Sequence, residues 1–199
     1  MDSRPAGFAS AQVAALNTAI VAAFSSAQLQ ALPTAALAGI ATAELNAMTT
    51  DQLIGLSSAQ IAAKGLTTAQ LQGLSTAGAQ ALTTAQVAAL TSSQMAGMPT
   101  ADIAALTTAA LQAIGTAEMA ALSSGDIAAL TTQQVVALIS ADVATLTTSQ
   151  IPALSTPAIP LLTTGEVSGF STAQLAAFTP AQVPAFTTTQ LNALSQLAL

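Results

Sequence analysis

The chain contains no histidine, cysteine, tryptophan or tyrosine, and in 199 residues it carries only two cations, Arg4 and Lys64. Each absence removes a chemistry. Without histidine there is no side chain whose ordinary pKa suits acid–base work near neutrality. Without cysteine there is no thiol for nucleophilic attack or soft-metal binding, and no disulfide. The lack of cysteine is equally compatible with the cytosol and with secretion. With two cations against eight acids the net charge is −6, so a nucleic acid backbone would find almost nothing to neutralise it. Long apolar runs are missing too. Ser and Thr pairs interrupt every one well short of the roughly 20 residues that a membrane helix needs. Residues Met1 to Gly7 have no apolar stretch after the Arg, so they do not read as a signal peptide.

What remains is mostly Ala, Leu, Thr, Ser and Gln, in strict order. Large apolar residues recur every eighth position from Phe8 through Leu56, slip by two residues at Lys64-Gly65, and resume from Leu66 to Leu194. This gives 23 full units between Phe8 and Ala193. With the large residue as position one, the consensus is L-[ST]-[ST]-A-Q-[LIV]-x-A. Position three is Ser or Thr in 22 units, position five is Gln, Asp or Glu in 18, and position six is aliphatic or Met in 22. Self-similarity of this kind decides the architecture before any local propensity does.

A unit such as Leu82-Thr83-Thr84-Ala85-Gln86-Val87-Ala88-Ala89 carries two helix-start signals in register. Thr83 and Gln86 form a capping box, and Leu82 and Val87 stand at the two ends of a hydrophobic staple. Pro180 falls where a first helical residue belongs. Position two cannot cap at Ala9, Pro33, Ala41, Pro99, Gly115 and Ile139. The neighbouring position-three hydroxyl suggests a cap shifted by one residue there. The helices must be short, because Pro152, Pro160 and Pro184 occupy position seven, where a longer helix needs the N–H. A continuous helix is disfavoured: eight residues make about 2.2 turns, so the large side chains would spiral around the rod instead of forming a seam. In a strand, positions one and six would face opposite ways.

The expected fold is therefore an all-α solenoid, a superhelical rod of very short helices, with a β-solenoid as the alternative. Residues 1–7 form a leading segment, 8–194 the solenoid with its slip at 64–65, and 195–199 a closing segment. One unit buries two large side chains, worth about 1.5–3 kcal/mol each, whereas ordering eight backbones costs on the order of 8–16 kcal/mol. A lone unit cannot fold, so the units must stack. Positions one and six are expected in the core and five and seven on the surface, with small residues at four and eight allowing close approach.

The position-five acids Glu44, Asp102, Glu118, Asp126, Asp142 and Glu166 read as helix N-terminal caps, not as a cation ladder or catalytic carboxylates. Asp51, at position four, also lies in a first turn. Lys64-Gly65 reads as a bulge tolerated at the surface. Phe170, Phe178 and Phe186 read as core residues, not as a platform for bases. No catalytic, cofactor-binding or metal-ligating residue is expected, and no cofactor.

The unit resembles the octapeptide tracts, of the form LTTAQ[IV]xAL, found in some very large secreted or surface proteins of Gram-negative bacteria. The resemblance spans residues 8 to 194 and implies an extracellular adhesive or filament role, with no site residues. The stretch Phe178-Thr179-Pro180-Ala181-Gln182-Val183 is also similar to the start of the first helix in TAL-effector repeats. That family's 34-residue repeat, base-reading loop and many cations are missing here, so DNA recognition is not carried over. The expected role is structural and non-catalytic: part of an extracellular bacterial filament, sheath or adhesin stalk that associates head to tail as a homo-oligomer. It would use no nucleic acid and no membrane insertion, and would leave room for a cell-surface or matrix partner. A binding module, either a display stalk or an ice-binding array of Thr, is the alternative. An enzyme would require the position-five acids to converge in a cleft, and a solenoid spreads them along a ridge.

Overall fold

The computed structural model describes residues 10–62, 65–138 and 140–196. Among these residues there are twenty α-helices and three 3-10 segments, and no strand. The β-solenoid alternative is thereby set aside. Most helices have four to six residues, as in Thr84–Val87 and Thr100–Ala105, and the longest, Thr188–Gln196, has nine.

Each helix starts where the capping signals put it. Thr83 is the N-cap of Thr84–Val87, in extended conformation at φ −74° and ψ 158°. Its hydroxyl accepts from the Gln86 N–H at 3.3 Å, while Gln86 Oε1 accepts from the Thr83 N–H at 2.9 Å. Such boxes recur from Ser25 and Gln28 to Ser171 and Gln174. Caps of this type contribute about 1 kcal/mol each. Asn17 caps Thr18–Ala23 in the same way. Where position two lacks a suitable side chain, the cap does not shift. Pro33, Ala41, Pro99 and Gly115 hold the N-cap place with no side-chain bond, because the position-three residue is already the first residue of the helix, and at Thr100 its hydroxyl bonds Asp126 of the next turn. Ala9 and Ile139 lie outside the described residues.

The helices stop without a left-handed residue. Many end on the next unit's large residue in extended conformation, as at Leu106 (φ −56°, ψ 141°) and Leu122 (φ −63°, ψ 142°), and others end a residue or two earlier on a right-handed C-cap such as Ala31 or Gly55. The large residue's N–H reaches back three residues, Leu122 to Met119 O at 3.3 Å. Two extended residues thus turn each corner, which is why the repeat can run with so few C-terminal glycines. Proline at position seven removes the N–H that would complete an α-turn, and the units of Pro152, Pro160 and Pro184 become 3-10 segments.

Units three apart in sequence pack on one another. Thr100–Ala105 lies against Thr76–Ala81 on one side and Ser124–Ala129 on the other. Side chains that bond from turn to turn join residues 25 to 33 apart, so one superhelical turn takes between three and four units. Positions one and six line one continuous core running from Val13 to Phe178. Each turn covers position six of the turn before it. Val183 and Leu191, in the final turn, stay 51% and 48% exposed.

The two-residue slip is absorbed inside the wall. The Leu66 N–H returns to Gln60 O at 3.0 Å and the Gly65 N–H to Ala62 O at 2.8 Å. Gly65 is buried, in contrast to the surface bulge expected, and a Cβ there would overlap the Gln60 carbonyl. Only glycine permits that approach. Lys64 lies outside the described residues. Position eight is half-buried against position three of the turn below, where Gly55 faces Ser26 and Gly73 faces Thr42. Position four is solvent-exposed, as at Ala27, Ala43 and Ala85, so of the two small positions only eight serves close approach.

Candidate functional site

The feature that organises the molecule is position five. It was expected on the surface and, from Gln52 onward, is mostly buried instead: Gln60, Gln86 and Gln150 are each 1% exposed. The reason is that glutamine has two ends and both are used. The carbonyl end caps its own helix. The amide nitrogen points to the turn below and donates to the carbonyls at the end of a helix there. Gln150 Nε2 donates to Met119 O at 3.0 Å and to Leu122 O at 2.7 Å, and Gln190 Nε2 donates to Ile159 O at 2.8 Å and Leu162 O at 2.7 Å. Ten glutamines, from Gln52 to Gln190, make this connection. One side chain therefore satisfies the start of one helix and the end of another, both of which would otherwise leave polar groups orphaned. Gln94 carries the ladder across the slip by donating to Ile61 O at 2.9 Å and Leu66 O at 2.7 Å. A signal for this was present in the sequence. A capping box needs only an acceptor at position five, and Glu would serve, yet Gln predominates.

The acids at position five cannot donate, and they use their oxygens in other ways. Asp126 caps Ser123 and accepts from Thr100 Oγ1, one turn below, at 2.7 Å. Glu166 accepts from the Thr163 N–H at 2.6 Å. Both act as the helix caps expected of them. Glu118 accepts from Ser92 Oγ at 2.9 Å, a bond between turns. Asp142 is buried. Glu44 is half-buried, and its Oε2 lacks a protein partner. Asp51 is exposed, and its backbone oxygen accepts from Ser26 Oγ at 2.8 Å. Asp102 is 3% exposed and its Oδ2 has no protein partner. Burial raises the Asp102 pKa above its ordinary value, and a hydrogen bond from Thr76 partly offsets the rise. Among the described residues, no three metal-ligating side chains gather in one place.

The outer face carries positions two, three, four and seven. A cleft of about 190 Å³ lies between turns and is lined by Leu45, Asn46, Thr49, Leu74 and Ser75 among others. It is smaller than the roughly 300–1,000 Å³ of small-molecule pockets, and no ionisable side chain lines it. A more open groove runs between hydroxyl rows at Thr67, Thr68, Thr91 and Ser93. The position-two hydroxyls are largely committed. Thr67 Oγ1 accepts from the Gln70 N–H at 3.2 Å and lies 3.0 Å from Gln70 Oε1 as donor. Phe170, Phe178 and Phe186 meet edge to face at 5.2 and 5.0 Å between ring centres. Phe170 and Phe178 are buried in the core as expected, and Phe186 packs against it.

No helix among the described residues is long and apolar enough to cross a membrane. No curated protein and no solved structure matches the chain. A repeat-family model does match, four times, at residues 64–100, 95–132, 119–156 and 159–196. These windows cover more than half of the sequence and include the ladder from Gln70 onward: the chain belongs to the ALTTAQ repeat family.

Proposed function

We propose that the chain is a non-catalytic structural rod, a segment of an extracellular bacterial filament, sheath or adhesin stalk. The observation that supports this most is the glutamine ladder. It joins every turn it reaches to the one below by the same bonds, so a rod of this kind lengthens by adding units without a new design at any point. The surface that one turn offers upward matches what the next offers downward. A second copy stacked in register would bring the exposed Gln28 and Ile20 over a final turn where Val183 and Leu191 are exposed, a heterologous contact that does not close. Among the described residues the acids are spread along the array, one to a unit, and several are bonded to hydroxyls or backbone N–H groups, an arrangement that favours a structural role over a convergent catalytic set. The extracellular setting rests on the resemblance of the octapeptide to secreted and surface proteins. The hydroxyl rows favour an ice-binding face less, since capping already uses their donors and acceptors.

Negative-stain microscopy over a range of protein concentrations tests the assembly. Rods of constant width whose length grows with concentration are expected. Short particles of one size at every concentration would contradict head-to-tail growth.

A further inference from the structure

Asp102 stands apart from the other members of its column. In the ladder, position five of one unit lies over two carbonyls 31 and 28 residues earlier, as Gln150 lies over Met119 and Leu122. The same register places Asp102 over the carbonyls of Leu71 and Leu74. An aspartate has no N–H for them. It also cannot do what Asp126 does and accept from its own N-cap N–H, because the N-cap here is Pro99, which has none. The Thr76 hydroxyl serves one carboxylate oxygen. The other, Oδ2, is buried and unpartnered. The turn therefore offers an unpartnered buried carboxylate oxygen, and two carbonyls without an amide above them, where other turns of the rod supply a donor nitrogen, and a buried carboxylate needs a partner of opposite charge or a strong donor.

We propose that Asp102, together with the main-chain carbonyls of Leu71 and Leu74, forms a binding site for one monovalent cation of potassium size between two turns of the rod. One carboxylate balances one positive charge. A divalent ion would leave a buried excess. Ladder nitrogens sit 2.5 to 3.3 Å from their carbonyls, for the most part longer than the roughly 2.3–2.6 Å of calcium and in every case longer than about 2.0–2.1 Å for magnesium. Carbonyl oxygens that replace a hydration shell suit a large monovalent ion. The cation takes the electrostatic part of the missing glutamine amide and ties the 98–105 unit to the turn beneath it.

The test compares thermal unfolding of the full chain at pH 7 in potassium chloride and in choline chloride at equal ionic strength. It uses the natural protein, Asp102→Asn and Asp102→Gln. The natural protein should melt roughly 2–4 °C higher in potassium. Asp102→Asn keeps the shape without the charge and should melt equally in both salts. Asp102→Gln restores the donor, and it should melt higher than Asp102→Asn and be indifferent to the cation. Equal melting of the natural protein in the two salts would overturn the proposal, leaving a proton or a water as the occupant. A potassium response that persists in Asp102→Asn would overturn it as well, since the ion would then be acting elsewhere.

Discussion

Gln86 shows what a single side chain does in this molecule. Its Oε1 accepts from the Thr83 N–H, and its Nε2 donates to Leu53 O at 2.8 Å and Leu56 O at 2.9 Å, at 1% exposure. Gln86→Ala removes both bonds and leaves buried carbonyls unpaired, so a loss of about 1–3 kcal/mol is expected. Gln86→Glu keeps the capping acceptor but sets a charge beside two carbonyls, and it should destabilise at least as much at pH 7 and less near pH 4. Chemical denaturation of the two variants separates the capping role from the role between turns. The converse change is Ala110→Gln. Ala110 occupies position five over the carbonyls of Ala79 and Leu82, and its N-cap Thr107 already accepts from its N–H at 3.1 Å. Adding the amide there should stabilise by about 1 kcal/mol, the usual net value of one buried hydrogen bond. Asp102 gives the pH dependence its sign. Its folded pKa is raised by burial, so the stability it allows is full below the unfolded carboxylate range and is lost as pH rises through the folded value. In potassium-free solution, the natural protein should lose stability relative to Asp102→Asn between pH 4 and pH 7. A constant difference across that range would contradict the assignment.

At the scale of the helix, four to six residues is far below the length at which an isolated helix holds in water. These helices persist because they are packed turn on turn, with most starts satisfied by their own box and, along the ladder, the finish satisfied by a glutamine from the turn above. The sites of proline tolerance follow. Position seven contributes one bond, Ala88 N–H to Thr84 O at 2.9 Å, while position six contributes Val87 N–H to Thr83 O at 2.9 Å and also fills the core. Ala88→Pro should therefore give a 3-10 unit like that of Pro152 and cost about 1 kcal/mol or less, whereas Val87→Pro should cost about 3 kcal/mol or more. Thermal melts followed by circular dichroism compare the two. Helix starts were legible in the sequence at this scale, because Ser or Thr followed three residues later by Gln is a local signal between neighbours. The uncapped starts at Pro99 and Gly115 were not, because the position-three residues that could have replaced them are already inside the helix, and a hydroxyl there can be drawn to another turn. Thr100 bonds Asp126 in that way.

At the scale of the whole rod, the period and the core positions one and six were readable from spacing alone. The burial of position five was signalled only by the preference for Gln over Glu, since its partners depend on which residues the superhelix brings together some thirty positions apart, and no local pattern contains that number. The same dependence predicts the effect of deletions. Removing residues 82–89, one full unit, moves every later glutamine back by one unit onto an equivalent carbonyl pair, so the protein should stay cooperative and melt a few degrees lower at most. Removing residues 82–85 alone breaks the register for a whole turn and should unfold the adjoining units. The claim on which all of this depends is that the position-five amides are buried donors joining one turn to the next. Hydrogen exchange of glutamine side-chain amides, resolved by NMR, tests it most directly. The amides of Gln60, Gln86, Gln150, Gln182 and Gln190 are expected to exchange slowly, while those of Gln28 and Gln30, which are exposed, exchange at the rate of free glutamine. Uniformly fast exchange across all of them would contradict the ladder.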